Sequence, residues 1–169
     1  GFAGARALTA TSGGGFALMT EMIGLAGCAE VPCVVVNSQR VGPSTGLPTR
    51  TEQGDLRQVM HASQGDFPRL IMAPGDAEEC FEMGFESFNY AEKYQIPVMV
   101  LLDKYLSEST VSRKAFGAEA GAGAGAAGKI ERGKILDSAG ASAALMADFS
   151  KDMRTVKMAF PAGHCPGPL

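Results

Sequence analysis

The residues best placed to do chemistry fall in one stretch, Arg40-Val-Gly-Pro-Ser-Thr-Gly-Leu-Pro-Thr-Arg-Thr-Glu-Gln-Gly-Asp-Leu56. It follows the apolar run Val31-Pro-Cys-Val-Val-Val36 and reads as a long polar loop leaving the end of a covered strand. In an open α/β sheet, ligands bind in the crevice beyond the carboxyl ends of the strands. A guanidinium in a rigid, hydroxyl-lined loop suits a small carboxylate or phosphate, because it donates two parallel hydrogen bonds that lysine cannot imitate. Arg40 is the candidate for that role. On spacing alone, an ion pair with Glu52 or Asp55 that braces its own loop is an equal alternative.

A second candidate precedes it. Ala10-Thr-Ser-Gly-Gly-Gly15 has the strand, glycine turn and helix order of a phosphate cradle. No Walker lysine follows, and the spacing is not Gly-x-Gly-x-x-Gly. The three glycines are therefore read as a tight turn or a close approach of another chain. The same residues form a relaxed nucleophile elbow, with Ser12, Asp103 and His164 in the Ser, Asp, His order of α/β-hydrolases. A small serine hydrolase is thus the rival reading. Against it, His164 lies in a Pro/Gly-rich tail and Asp103 suits a cap on the following turn. His61 reads as a half-buried packing residue, and Glu78, Glu79, Glu82 and Glu86 as the solvated face of a helix.

Composition narrows the class. The chain has 169 residues, 46% hydrophobic and 20% charged, with a net charge of −3. Its 15 basic residues are scattered, without the stripe of a nucleic-acid binder. No apolar run approaches the ~20 residues that span a bilayer. Cys28, Cys33, Cys80 and Cys165 lack zinc-ligand spacing and read as buried free thiols in a reducing, cytoplasmic setting.

Elements must then position these residues. The pattern predicts a strand at 5–11, a turn at 12–15 and a helix at 16–27 that is apolar on nearly every face, packed against a sheet and a partner. A strand at 32–37, the long loop, a short helix at 55–62 and a strand at 67–72 follow. Asp76 caps the next helix, with Glu79 completing a capping-box variant, and a strand at 96–102 closes the order. Strands alternating with helices give a mostly parallel sheet with helices on both faces. Residues 1–109 form this packed unit. Residues 110–169 begin with an Ala/Gly-rich linker and continue as a partly disordered extension.

Three motifs carry a family resemblance. Gly4-Ala-Arg-Ala-Leu-Thr-Ala-Thr-Ser-Gly-Gly-Gly-Phe16, Gln39-Arg-Val-Gly-Pro-Ser-Thr-Gly-Leu-Pro-Thr49 with Glu52-Gln-Gly-Asp-Leu56, and Asp103-Lys-Tyr-Leu-Ser-Glu-Ser109 resemble the α subunit of 2-oxoacid:ferredoxin oxidoreductases, in the 2-oxoglutarate branch. The resemblance implies the pyrimidine-side domain of a thiamine diphosphate site, truncated here. It implies oxidative decarboxylation of 2-oxoglutarate to succinyl-CoA, with electrons passed to ferredoxin. It also implies a β subunit that shares the cofactor, its Mg²⁺ and an iron–sulfur cluster not held by this chain. Arg40, Gly42, Pro43, Ser44 and Thr45 are then expected to bind substrate, and Thr11, Ser12 and Gly13 to touch the cofactor. No catalytic or metal-ligating residue is assigned. The family's Tyr-Pro-Ile-Thr-Pro-Ser motif and activating glutamate normally precede Gly1, so the expectation is a fragment that is inactive alone. A non-catalytic thiamine-fold assembly module is the blander reading.

Overall fold

The computed structural model describes residues 1–113. The element order is β1 (Leu8–Thr11), α1 (Gly13–Cys28), β2 (Cys33–Val41), β3 (Leu47–Thr51), α2 (Leu56–His61), β4 (Leu70–Met72), α3 (Ala77–Tyr94), β5 (Pro97–Asp103) and α4 (Lys104–Glu108). Strands pair in the order β1-β2-β5-β4, all parallel, and β3 adds to β2 antiparallel. The expected α/β architecture is therefore present. The expected extension falls almost wholly outside the described residues.

Alternation along the two central strands divides the core. Val35, Met99 and Leu101 join Phe16 and Ile23 of α1 and Val59 of α2 on one face. Val34, Val98 and Val100 meet Ala91 of α3 on the other. Because successive side chains of a strand point to opposite faces, a run of valines covers both sides only when helices pack above and below. Fully burying Phe16 or Met99 contributes about 1.5–3 kcal/mol each by apolar transfer.

Asp76 caps α3 as its spacing requires: its carboxylate accepts from the backbone N–H of Glu78 and Glu79 at 2.8 and 2.9 Å. Glu79 reaches back to the N–H of Gly75 rather than to that of the cap itself. Ser87, not one of the apolar positions of the helical stripe, is fully buried here.

Four expectations are corrected. Ser12 to Gly15 is not a turn, for Ser12 is the N-cap and the glycines form the first turn of α1. The N–H groups of a first turn need no helical partner, and a Cβ on Gly15 would lie 1.9 Å from Thr11 Oγ1, so close approach rather than turning explains that glycine. The segment from Arg40 is not all loop: β2 runs on to Val41 and folds back as β3. β1 and β4 begin later than expected, at Leu8 and at Leu70 behind Pro68 and Arg69. Cys28 and His61 are exposed, and Cys33 and Cys80 are only half-buried.

Glycines also let the α2–β4 connection lie on α1. A Cβ on Gly27 would meet the Phe67 ring at 2.2 Å, and one on Gly24 the Ser63 hydroxyl at 2.1 Å. The Arg69 guanidinium also lies over the Phe67 ring, 4.0 Å from its centre. Overpacking costs about 1–3 kcal/mol, whereas alanine gains about 1 kcal/mol in helix propensity over glycine. Gly27→Ala is expected to lower stability by a net of about 1 kcal/mol, read as a reduced midpoint in denaturant titration. An unchanged or higher midpoint would show that Phe67 moves freely.

Candidate functional site

The far end of β2 changes from apolar to polar residues without leaving the sheet. Asn37, Ser38 and Gln39 pair with Leu101, Leu102 and Asp103 of β5. By alternation Asn37 and Gln39 share the face of Val35, toward α1 and α2, while Ser38 and Arg40 share the opposite face. The hydroxyl of Ser38 lies 2.7 Å from that of Ser107 in α4, which confirms the second side.

On the α1 side, Asp55 gathers the strand and the helix. Asn37 is fully buried, and its amide nitrogen donates to Asp55 Oδ2 at 3.0 Å. The backbone N–H of Asp55 donates to Gln39 Oε1 at 2.9 Å. Asp55 Oδ2 is also 2.9 Å from where a Cβ on Gly13 would stand. A carboxylate thus already lies beside the first turn of α1, where the helix dipole favours negative charge. A phosphate brought to the same helix end would meet that charge, so this is not a phosphate cradle.

Between β2 and β3 the residues Gly42 to Gly46 form an exposed tip. The Gly42–Pro43 peptide is cis, and Ser44 and Gly46 both have φ of 57°. A side chain at Gly46 would stand 1.8 Å from the carbonyl oxygen of Val41, so this position requires glycine. The tip lies over α1, since the Ser44 carbonyl oxygen is 3.8 Å from a Cβ built on Gly14. Two separately predicted segments, 11–13 and 42–45, are therefore neighbours in space.

On the other face, α4 receives the returning arm. Asp103 Oδ1 accepts from the N–H of Leu106 at 2.7 Å, and its Oδ2 accepts from the Gln53 amide at 2.7 Å. The bond from Leu106, then that from Gln53, holds the Asp103 carboxyl below its ordinary pKa. The N–H of Tyr105 points at Thr51 Oγ1, 3.4 Å away. Thr51 is the cross-strand partner of Arg40.

Arg40 itself is half-buried and bonds to nothing in this set. Glu52 accepts from the N–H of Gly42, and Asp55 binds Asn37, so neither supplies the bracing ion pair. Three buried polar atoms have no hydrogen-bond partner among the described residues: Arg40 Nε, Ser12 Oγ and Asn37 Oδ1. Leaving such a group unmet costs about 1–3 kcal/mol. All three belong to the segments that end at the tips of β1 and β2, where a polar ligand could meet them.

The described residues give the hydrolase reading no support. Both oxygens of Asp103 are engaged by Leu106 and Gln53, Ser12 Oγ has no partner among the described residues, and His164 lies outside them. Among the described residues no group of three or more His, Cys, Asp or Glu side chains could hold a metal, and no helix is long and apolar enough to cross a membrane. Sequence reasoning gave no site role to Asn37, Gln39 or Gln53, and weighed Asp55 only as a partner of Arg40, whereas it bonds Asn37. The available signal was the polar alternation Asn37, Gln39 directly continuing the valine run.

Comparison with known proteins agrees with this fold. The family model described as pyruvate flavodoxin/ferredoxin oxidoreductase, thiamine diphosphate-binding, matches residues 1–120. The chain is 53% identical over 109 residues to subunit alpha of 2-oxoacid:ferredoxin oxidoreductase 1 from Aeropyrum pernix, covering 64% of this chain and 17% of that one. It is 52% identical over 101 residues to 2-oxoglutarate synthase subunit KorA of Methanocaldococcus jannaschii, covering 60% and 28%. A solved structure of 2-oxoglutarate:ferredoxin oxidoreductase from Magnetococcus marinus, with 2-oxoglutarate, coenzyme A and succinyl-CoA bound, shares 51% identity at a TM-score of 0.61 over 62% of this chain and 18% of that one. The chain thus spans less than a third of the length of these relatives. The parallel sheet, the polar strand ends and the match over 1–120 lead to one conclusion: this chain belongs to the thiamine diphosphate-binding family of pyruvate flavodoxin/ferredoxin oxidoreductases.

Proposed function

We propose that this chain is part of the α subunit of an oxidoreductase that decarboxylates 2-oxoglutarate to succinyl-CoA and passes the electrons to ferredoxin. The observation that carries the reading is Arg40, a guanidinium at the strand ends whose buried Nε has no hydrogen-bond partner among the described residues. Arg40 grips the substrate carboxylate through paired N–H donors. Its work is orientation, because stabilising the departing carboxylate more in the ground state than in the transition state would oppose its loss as CO₂. Gly42, Pro43, Ser44 and Thr45 shape the wall beside it.

Thr11, Ser12 and Gly13 face the cofactor, with Ser12 Oγ and Asn37 Oδ1 free to bond its polar edge. Thiamine diphosphate, when bound, supplies the electron sink for decarboxylation. The Asp55 carboxylate beside Gly13 suits an amine-bearing ring and repels a diphosphate, which supports a Mg²⁺–diphosphate end held by the β subunit. The iron–sulfur cluster belongs to that partner too, and the complex works in the cytoplasm.

The α1 helix supports a subunit contact. Leu18, Met22 and Leu25, at helical spacing, are 88%, 60% and 54% exposed, a stripe that water solvates poorly. Leu18→Asp with Leu25→Asp is expected to weaken assembly of the complete α subunit by at least tenfold, as buried interface side chains contribute about 2 kcal/mol or more when central. Sedimentation would read this, and an unchanged complex would remove α1 from the interface.

The function is tested on the complete natural protein with its associated subunits. Anaerobic viologen reduction that requires 2-oxoglutarate, CoA and thiamine diphosphate is the expected result. No turnover with any 2-oxoacid, despite intact clusters, would overturn the reading.

A further inference from the structure

The hairpin that bears Arg40 is weakly anchored by its own pairing. Every residue of β3 is exposed, and only Arg40↔Thr51 and Val41↔Leu47 register with β2, across a bulge. Glu52 bonds within the arm, to the N–H of Gly42. The first short side-chain bond beyond β3 to the body of the sheet is that from Gln53 to Asp103, at 2.7 Å, two residues before Asp55 meets Gln39 and Asn37.

Its position matters. Gln53 lies two residues beyond Thr51, the cross-strand partner of Arg40, and Asp103 is the β5 partner of Gln39, the residue before Arg40. The Gln53–Asp103 bond therefore closes a ring of backbone pairs around Arg40. Asp103 is in turn held by the N–H of Leu106 in the first turn of α4. Among the described residues the Arg40 Nε has no partner that could hold it in place without this ring.

We infer that Asp103 is a positioning residue: with Gln53 it latches the Arg40 hairpin to the start of α4. Neither touches substrate in this scheme. The kinetic consequence rests on the function proposed above, whereas the latch itself does not.

The test uses the complete α subunit assembled with its partners, carrying Asp103→Ala, Asp103→Asn or Gln53→Ala. Asp103→Ala and Gln53→Ala are expected to raise KM for 2-oxoglutarate about tenfold, the size of one charge-assisted hydrogen bond. Asp103→Asn is expected to restore wild-type KM within about twofold, since its oxygen still caps α4 and its amide pairs with a turned Gln53. Hydrogen exchange of residues 41–51, measured without substrate, is expected to quicken in Asp103→Ala and Gln53→Ala and to match wild type in Asp103→Asn. Gln53→Ala leaves the α4 cap intact, so it decides the matter even if Asp103→Ala misfolds. A Gln53→Ala protein with unchanged hairpin exchange, or a raised KM without faster exchange, would overturn the latch. A wild-type complex that turns over no 2-oxoacid would sink the proposed function, and the exchange contrast would still decide the latch.

Discussion

Arg40→Ala, introduced into the complete complex, is expected to lower kcat/KM for the 2-oxoacid by about 10²–10³ while leaving the folding stability of the subunit within about 0.5 kcal/mol. The two halves of this expectation have one cause. The guanidinium is not spent on structure: Glu52 and Asp55 are committed to Gly42 and Asn37, and Arg40 Nε has no partner among the described residues. Removing it breaks no side-chain bond among the described residues, and it even relieves an unmet buried donor. Against substrate, two charge-assisted hydrogen bonds at about 1.5–3 kcal/mol each are lost, part of which water recovers. A net of about 3–4 kcal/mol converts to the stated loss at 1.36 kcal/mol per decade. Arg40→Lys should recover charge but not the planar pair of donors, and so regain only part of the rate. Steady-state kinetics beside a denaturant titration separates the outcomes. A large loss of stability with a matching loss of activity would make Arg40 structural.

Gly46→Ala is expected to disable the same pocket from the backbone. Gly46 has φ of 57°, and its added Cβ would stand 1.8 Å from the carbonyl oxygen of Val41 and 2.9 Å from the Cα of Gly42. Neither neighbour is a movable side-chain end. The left-handed conformation alone costs an L-residue about 1–2 kcal/mol, and the overlap cannot be relieved without opening the turn. The exposed tip therefore refolds while the core, which lies at the other end of β2, keeps its packing. Since a displacement of about 1 Å can cost 10²-fold, turnover should fall by roughly that factor with the thermal midpoint nearly unchanged. Full activity in Gly46→Ala would show that the tip does not shape the site.

Much of the fold was legible because its causes are local. The valine run at 34–36 and the apolar run 97–102 can be stable only as covered strands, and Asp76 caps α3 by a spacing visible in the chain. The hairpin was not legible. Its strand half, Asn37 to Val41, is mostly polar, and a strand that continues past the covered sheet loses the apolar signal by which strands are recognised. Gly13 to Gly15 misled for a similar reason, since glycine in a first helical turn looks locally like a turn. Its purpose, admitting Thr11 and Asp55, is a tertiary fact.

By itself the sequence determined the parallel α/β plan and the motifs on which the proposed roles of Arg40 and Gly42 to Thr45 rest, because periodicity, capping and motif order are properties of neighbours along the chain. Only the tertiary structure decided what those residues bond to. It showed Asp55 beside α1 rather than paired with Arg40, Ser44 over Gly14, and Gln53 on Asp103 across fifty positions of chain. Hydrogen bonds act over about 3 Å, and which groups come that close is settled by how strands and helices pack, not by their order.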